Sequence, residues 1–352
     1  MIVKNEAPVI GRCLDSVLRL IDHWIIVDTG STDGTQDLIR AYFNGLPGAL
    51  HERPWRDFAT NRSEALSLAS ACADYTLIVD ADDELALPEN FVMPKLDADS
   101  YTVDIDLNGV HYRRPQLIKS CLAWRYEGVL HEYLACNAPT TSGHLPVTLR
   151  IHHDGARRRD PQTYTRDAEI LEKALETETD AFRIARYTFY LAQSYRDAGQ
   201  IEKAVNCYLR RTKLGYWNQE IFVSFYMAAQ LCEAQLREIA LTLYEEATRA
   251  CPERAEAAYR ASRLCRLQNN FQQGYAIAKQ AITLTPPADG LFVETWIYEY
   301  GLLDEFAVNA YWSGHYRDCV DAVLSALARG RIPPGEQLRF VQNAQFAMAK
   351  MT

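Results

Sequence analysis

The chain has 352 residues, enough for about two domains at roughly 100–200 residues each. Its 48% hydrophobic and 24% charged content is that of an ordinary soluble globular protein. A net charge of −9 leaves no basic footprint for nucleic acid, and no apolar run approaches the roughly 20 residues that cross a bilayer.

In chain order, Pro8 sits where a helix can start, and Ile10, Leu14, Val17, Leu18 and Ile21 fall on one helical face. "WIIVD" (24–28) is a short apolar run, predicted as a strand covered on both sides. "TGSTDGT" (29–35) is turn chemistry in which Ser31 and Asp33 can cap the helix begun by Leu38, Ile39, Tyr42 and Phe43. "ALHE" (49–52) is a candidate strand, 57–73 a helix, and "YTLIVD" (75–80) a further buried strand. This alternation predicts a mostly parallel sheet with helices on both faces, which binds ligands beyond the carboxyl ends of its strands. "YTVDIDL" (101–107) alternates apolar and polar residues, as a half-exposed, antiparallel strand does, and strands follow near 110–118 and 147–152.

From about residue 165 the pattern is helical and repeats. Ala204, Ala240 and Gly274 lie 36 and 34 residues apart, as do Tyr208, Tyr244 and Ala278. A period near 34, with small residues where helices touch, is the tetratricopeptide signature. A fourth unit falls at 309–327, and "RRRDPQTYTRDAEILEKAL" (157–175) forms the joint. Tyr216, Trp217, Trp296 and Trp312 are candidate groove anchors, with packing between repeats as the alternative. The nine cysteines are scattered without a CxxC pair, which fits free thiols in a reducing cytoplasm. "MIVKNEAPVI" meets Lys4, Asn5 and Glu6 at once and does not read as a signal peptide.

"LIVDADDEL" (77–85) puts Asp80, Asp82 and Asp83 at the end of a buried strand. Like charges that close cost free energy unless a cation shares them, and such oxygen clusters suit Mg²⁺ or Mn²⁺ holding a diphosphate. Alone, a DxD triplet reads as a solvated turn. Asp28 ends another strand at the same predicted edge, where it can accept hydrogen bonds from a base or cap a helix. Arg62, on the helix between, is a candidate phosphate partner or an ordinary salt bridge.

"MIVKNE", "IIVDTGSTDGT", "DFATNRSEAL" and "LIVDADDEL", in this order, resemble the family 2 glycosyltransferases of the GT-A fold, in the bacterial branch that carries C-terminal tetratricopeptide repeats. The resemblance implies a GT-A domain over 1–160 and a tetratricopeptide superhelix over 161–352. It implies a metal-dependent, inverting transfer of sugar from a nucleotide-diphosphate sugar, most often UDP-linked, to a saccharide or peptide acceptor. Asp28 would lie by the base, Asp80 by the ribose, and Asp82 on a Mn²⁺ or Mg²⁺ ion. Glu132 in "WRYEGVLHEYL" is the expected base, with Asp83 as its alternative. His153 is the expected further metal ligand, with His152 behind it; alternate strand positions face opposite sides, so one of them enters the cleft. Arg157, Arg158 and Arg159 either neutralise a leaving diphosphate or solvate the joint, and Glu84 caps or faces solvent. The repeats would take a protein or peptide partner. Two departures stand out: Met1 falls inside the strand that usually precedes "VKNE", and Thr29 replaces a second aspartate. The competing readings are a tetratricopeptide binding module with a degenerate first domain, and a nucleotidyltransferase.

Overall fold

A computed structural model describes residues 1–107, 109–152, 154–156 and 160–351. The chain divides into two compact units, 1–108 with 112–183, and 109–111 with 184–352.

In the first unit, β1 (Ile2–Val3), β2 (Trp24–Asp28) and β3 (Gly48–Glu52) form a parallel sheet in the order β1–β2–β3. Between them run α1 (Ile10–Val17) and α2 (Thr35–Tyr42), close to their predicted positions. Ile10, Leu14, Ile26 and Ile39 are buried together beneath this sheet, because the 3.6-residue spacing of α1 meets the apolar run of β2. Next comes α3 (Phe58–Ala69), whose N-cap Asp57 accepts a hydrogen bond from Thr60 N (2.7 Å).

β4 (Tyr75–Leu77) does not extend the parallel sheet. It pairs antiparallel with β7 (Val110–Lys119), at Tyr75↔Lys119, Thr76↔Ile118 and Leu77↔Leu117. β5 (Asp83–Ala86), β6 (Ser100–Leu107) and β10 (Ser142–Ile151) join them in the order β5–β10–β6–β7–β4, within a sheet of six strands. β6 buries Val103 and Ile105 as its alternation requires, yet runs parallel to β10; the pattern reports the buried face, not the strand direction. β8 (Trp124–Glu127) and β9 (Tyr133–Cys136) form a separate antiparallel pair, and β8 packs on α3. Among the described residues no ladder joins β1 to β4. A cavity of about 360 Å³ lies there, lined by Trp24, Ile25, Ala65, Leu66, Tyr75 and Leu77 among others. α4 (Thr163–Thr177) groups with the first unit, so the division falls at 183/184, whereas the repeat pattern counted this helix with the second domain.

The second unit is all but helical: α5 (Ala181–Asp197), α6 (Ile201–Arg211), α7 (Asn218–Cys232), α8 (Arg237–Ala250), α9 (Glu256–Leu267), α10 (Phe271–Ala281), α11 (Leu302–Trp312), α12 (Tyr316–Arg329) and α13 (Pro334–Met348). From α6 onward each helix packs on the next. The repeat register holds: Ala204, Ala240, Tyr208, Tyr244 and Ala278 are fully buried. At Gly274 an added Cβ would stand 2.5 Å from Asn309 Oδ1, so glycine replaces the alanine of the other repeats to admit that amide. Tyr216, Trp217 and Trp312 are exposed, and Trp312 stacks on Phe271; Trp296 packs against Tyr259.

Candidate active site

Two loops clasp each other at the carboxyl ends of β1 and β2. Asn5, at φ 58°, accepts from Thr32 N (2.8 Å) while its own N–H donates to Ser31 Oγ (2.9 Å). Glu6 N donates to Thr35 Oγ1 and Ala7 N to Asp33 Oδ2. Ser31 therefore serves the facing loop rather than a helix cap.

Asp28 lies at this edge but is only 1% exposed. Its Oδ1 accepts from Gly30 N, Ser31 N and Gln36 Nε2 at 2.8–3.0 Å. Burial pushes its carboxyl up, but the Ser31, Gln36 and Gly30 hydrogen bonds outweigh this and hold it below the usual range. It shapes the loop from beneath, and its Oδ2 is buried without a hydrogen-bond partner among the described residues.

The acids after β4 separate by their partners. Ile78 O accepts from Gln116 Nε2 (2.9 Å), a side-chain bond at the point where the β4–β7 ladder stops. Asp80 Oδ1 then meets Arg62 Nη2 at 2.7 Å. On its other side Arg62 Nε lies 2.6 Å from Glu132 Oε1, an ion pair by distance whose N–H is not aligned for a hydrogen bond. Tyr126 covers the guanidinium at 5.5 Å. Burial alone would lower the Arg62 pKa; Asp80 and Glu132 more than offset it, so the charge stays. Burial likewise pushes Asp80 up, but Arg62 and then Arg114 hold it below the usual carboxylate range.

Asp83 is 2% exposed, accepts from Asp80 N (3.0 Å) and lies 3.8 Å from Arg114 Nη2. Burial, then the charge of Asp80, pushes it up to about 7. Glu84 lies 2.8 Å from His152 Nε2 and 3.6 Å from Arg150, so His152 is held at the β5–β10 pair rather than beside Asp82.

Asp82 differs from its neighbours. It is half-buried, and among the described residues its carboxylate has no hydrogen bond or ion pair. Its backbone carbonyl accepts from Arg12 Nη2 (3.0 Å), and Arg12 is fixed in turn by Asp154 through two bonds of 2.8 and 2.9 Å. An added Cβ at Gly155 would come within 2.9 Å of Asp82 Oδ2, so glycine there keeps that oxygen clear. His153 and Arg157–Arg159 lie outside the described residues. Among the described residues no group of three acids, histidines or cysteines is assembled around a metal position.

Residues 1–89 match the family described as Glycosyl transferase family 2. The chain carries a glycosyl transferase family 2 domain at its N-terminus. Curated relatives agree. The chain is 34% identical over 119 residues to the lipopolysaccharide core biosynthesis glycosyltransferase LpsC of Rhizobium meliloti, covering 34% of this chain and 42% of that protein. It is 40% identical over 87 residues to a TPR repeat-containing protein of Synechococcus elongatus, covering 25% and 20%. An uncharacterized glycosyltransferase of Rickettsia felis is 37% identical over 86 residues, covering 24% and 28%. The chain thus spans between a fifth and about two fifths of the length of these relatives. Of the residues at this edge, sequence reasoning singled out Arg62, Asp80, Asp82 and Glu132, and the fold brings Arg62, Asp80 and Glu132 into contact. It missed Arg12, Gln36 and Arg114. Arg114, in the Arg113–Arg114 pair just before the apolar "LI" of its strand, was the one with a visible signal.

Proposed function

We propose that the chain is a glycosyltransferase that takes a sugar from a nucleotide-diphosphate sugar, UDP-linked first among the candidates, and passes it to a saccharide or peptide acceptor. The observation that carries this reading is Asp82: every other acid of its cluster is tied to a protein group, and among the described residues the carboxylate of this one has no partner.

An open carboxylate with room around it fits Mn²⁺ or Mg²⁺, which bind through one or two carboxylates and the substrate's phosphates. Asp82 would hold the ion, and Gly155 leaves the space. When bound, the metal offsets charge that builds on the departing diphosphate. The protein's own groups do the rest. The clasped loop of Thr29–Thr32, shaped by Asp28, offers backbone groups to the base. Asp80, fixed by Arg62, is assigned to the ribose. Glu132, on the far side of Arg62, is the assigned base for the acceptor hydroxyl, with Asp83 as its alternative. The helical repeats are assigned to a protein or peptide partner.

Asp82→Ala is expected to remove metal-dependent UDP release from a panel of UDP-sugars by about a hundredfold or more, while the thermal melt stays near wild type. Turnover within threefold of wild type would sink the assignment.

A further inference from the structure

Two guanidinium groups flank Asp80, and they are not equivalent. The β4–β7 ladder pairs Leu77 with Leu117 in antiparallel register. Continued past that last pair, the register leads from Leu117 back to Arg114 and from Leu77 on to Asp80, and the Arg114 charge acts on Asp80. Gln116 fixes the approach. It is 3% exposed, donates to Ile78 O (2.9 Å), and accepts from Arg114 Nε (3.1 Å). A buried amide thus aims the guanidinium.

The ends of that guanidinium are open. Asp83 Oδ2, its paired carboxylate, stands at 3.8 Å, beyond hydrogen-bond distance. Among the described residues the Nη1 and Nη2 donors make no hydrogen bond, and the side chain is 36% exposed. Arg62 contrasts on each count. It has one carboxylate at 2.7 Å, a second at 2.6 Å, an aromatic ring over its face, and 19% exposure. A planar fork of free donors matches two phosphate oxygens, and a point of positive charge at this acidic edge is what a polyanion requires.

We propose that Arg114, and not Arg62, grips the diphosphate of the donor nucleotide, while Arg62 is a positioning residue that holds Asp80 and Glu132. This rests on the glycosyltransferase reading above.

The test is calorimetry of the full chain with UDP and with GDP at fixed Mn²⁺, beside a thermal melt. Arg114→Gln should weaken the better nucleotide by about ten- to a hundredfold, and Arg114→Lys by less, since it keeps charge without the fork. Arg114→Gln also leaves buried Asp83 without its nearby cation. The double variant Arg114→Gln/Asp83→Asn removes that imbalance; its melt should return toward wild type while nucleotide affinity stays low. Recovery of affinity in the double variant, or unchanged affinity in Arg114→Gln, would overturn the role of Arg114 and leave the enzyme reading intact. A wild-type chain that binds neither nucleotide would overturn both.

Discussion

Asp83 is the acid of its cluster that water does not reach, and its proton has a thermodynamic consequence. An unfolded aspartate titrates near 3.9. With the folded group at about 7, the native state holds more protons between the two values. Its contribution to stability is therefore fully present below about pH 4 and is lost as the pH rises through 7. Asp83→Asn mimics the protonated form and keeps an acceptor for Asp80 N. Urea unfolding should show the variant gaining roughly 1–4 kcal/mol on wild type between pH 4.5 and pH 8. A difference independent of pH would show that Asp83 is ionised throughout. The same residue marks a limit of sequence reading. "DADDEL" announces four acids at a strand end, but which one stays open depends on Arg12, Arg62, Arg114 and His152. Those residues arrive from α1, α3, β7 and beyond β10, at separations of up to 70 residues.

At the scale of elements, periodicity was a reliable guide where an element buries one stripe. α1, α2 and the repeat helices lie close to where their apolar spacing put them. Strand partners were less legible. "YTLIVD" and "WIIVD" look alike, yet β2 joins a parallel sheet and β4 pairs antiparallel in a mixed one. A run covered on both faces carries no signal of direction, and the mistaken parallel neighbour hid the register that brings Arg114 to Asp80. The repeats offer a sharper test. Asn309 Nδ2 donates to Ser262 Oγ (3.1 Å) and Glu305 O (3.0 Å), with its Oδ1 against Gly274. Gly274→Ala should cost about 1–3 kcal/mol by overpacking, despite alanine's better helix propensity. In an Asn309→Ala background the same change should cost clearly less. A double-mutant cycle with no coupling would mean that the helices shift to make room.

Across the whole molecule, the two units reach burial by different routes. The second stacks α6 to α13 on their immediate neighbours, which keeps its contacts local. The first depends on strands that meet across long stretches of chain, such as β6 with β10, and local pattern is weakest there. The cavity lined by β1, β2 and β4 belongs to this first unit, and it bears on how the protein responds to compression. Pressure favours whichever state removes void volume closed to water, and unfolding removes the closed part of this cavity. High-pressure NMR should therefore lose the amide signals of β2 and β4 at lower pressure than those of α7 and α9. Enlarging a lining residue, as in Ala65→Leu, should raise the pressure at which the sheet gives way. The void that leaves heat stability to its walls would make hydrostatic pressure, rather than temperature, the variable that separates the two halves of the chain.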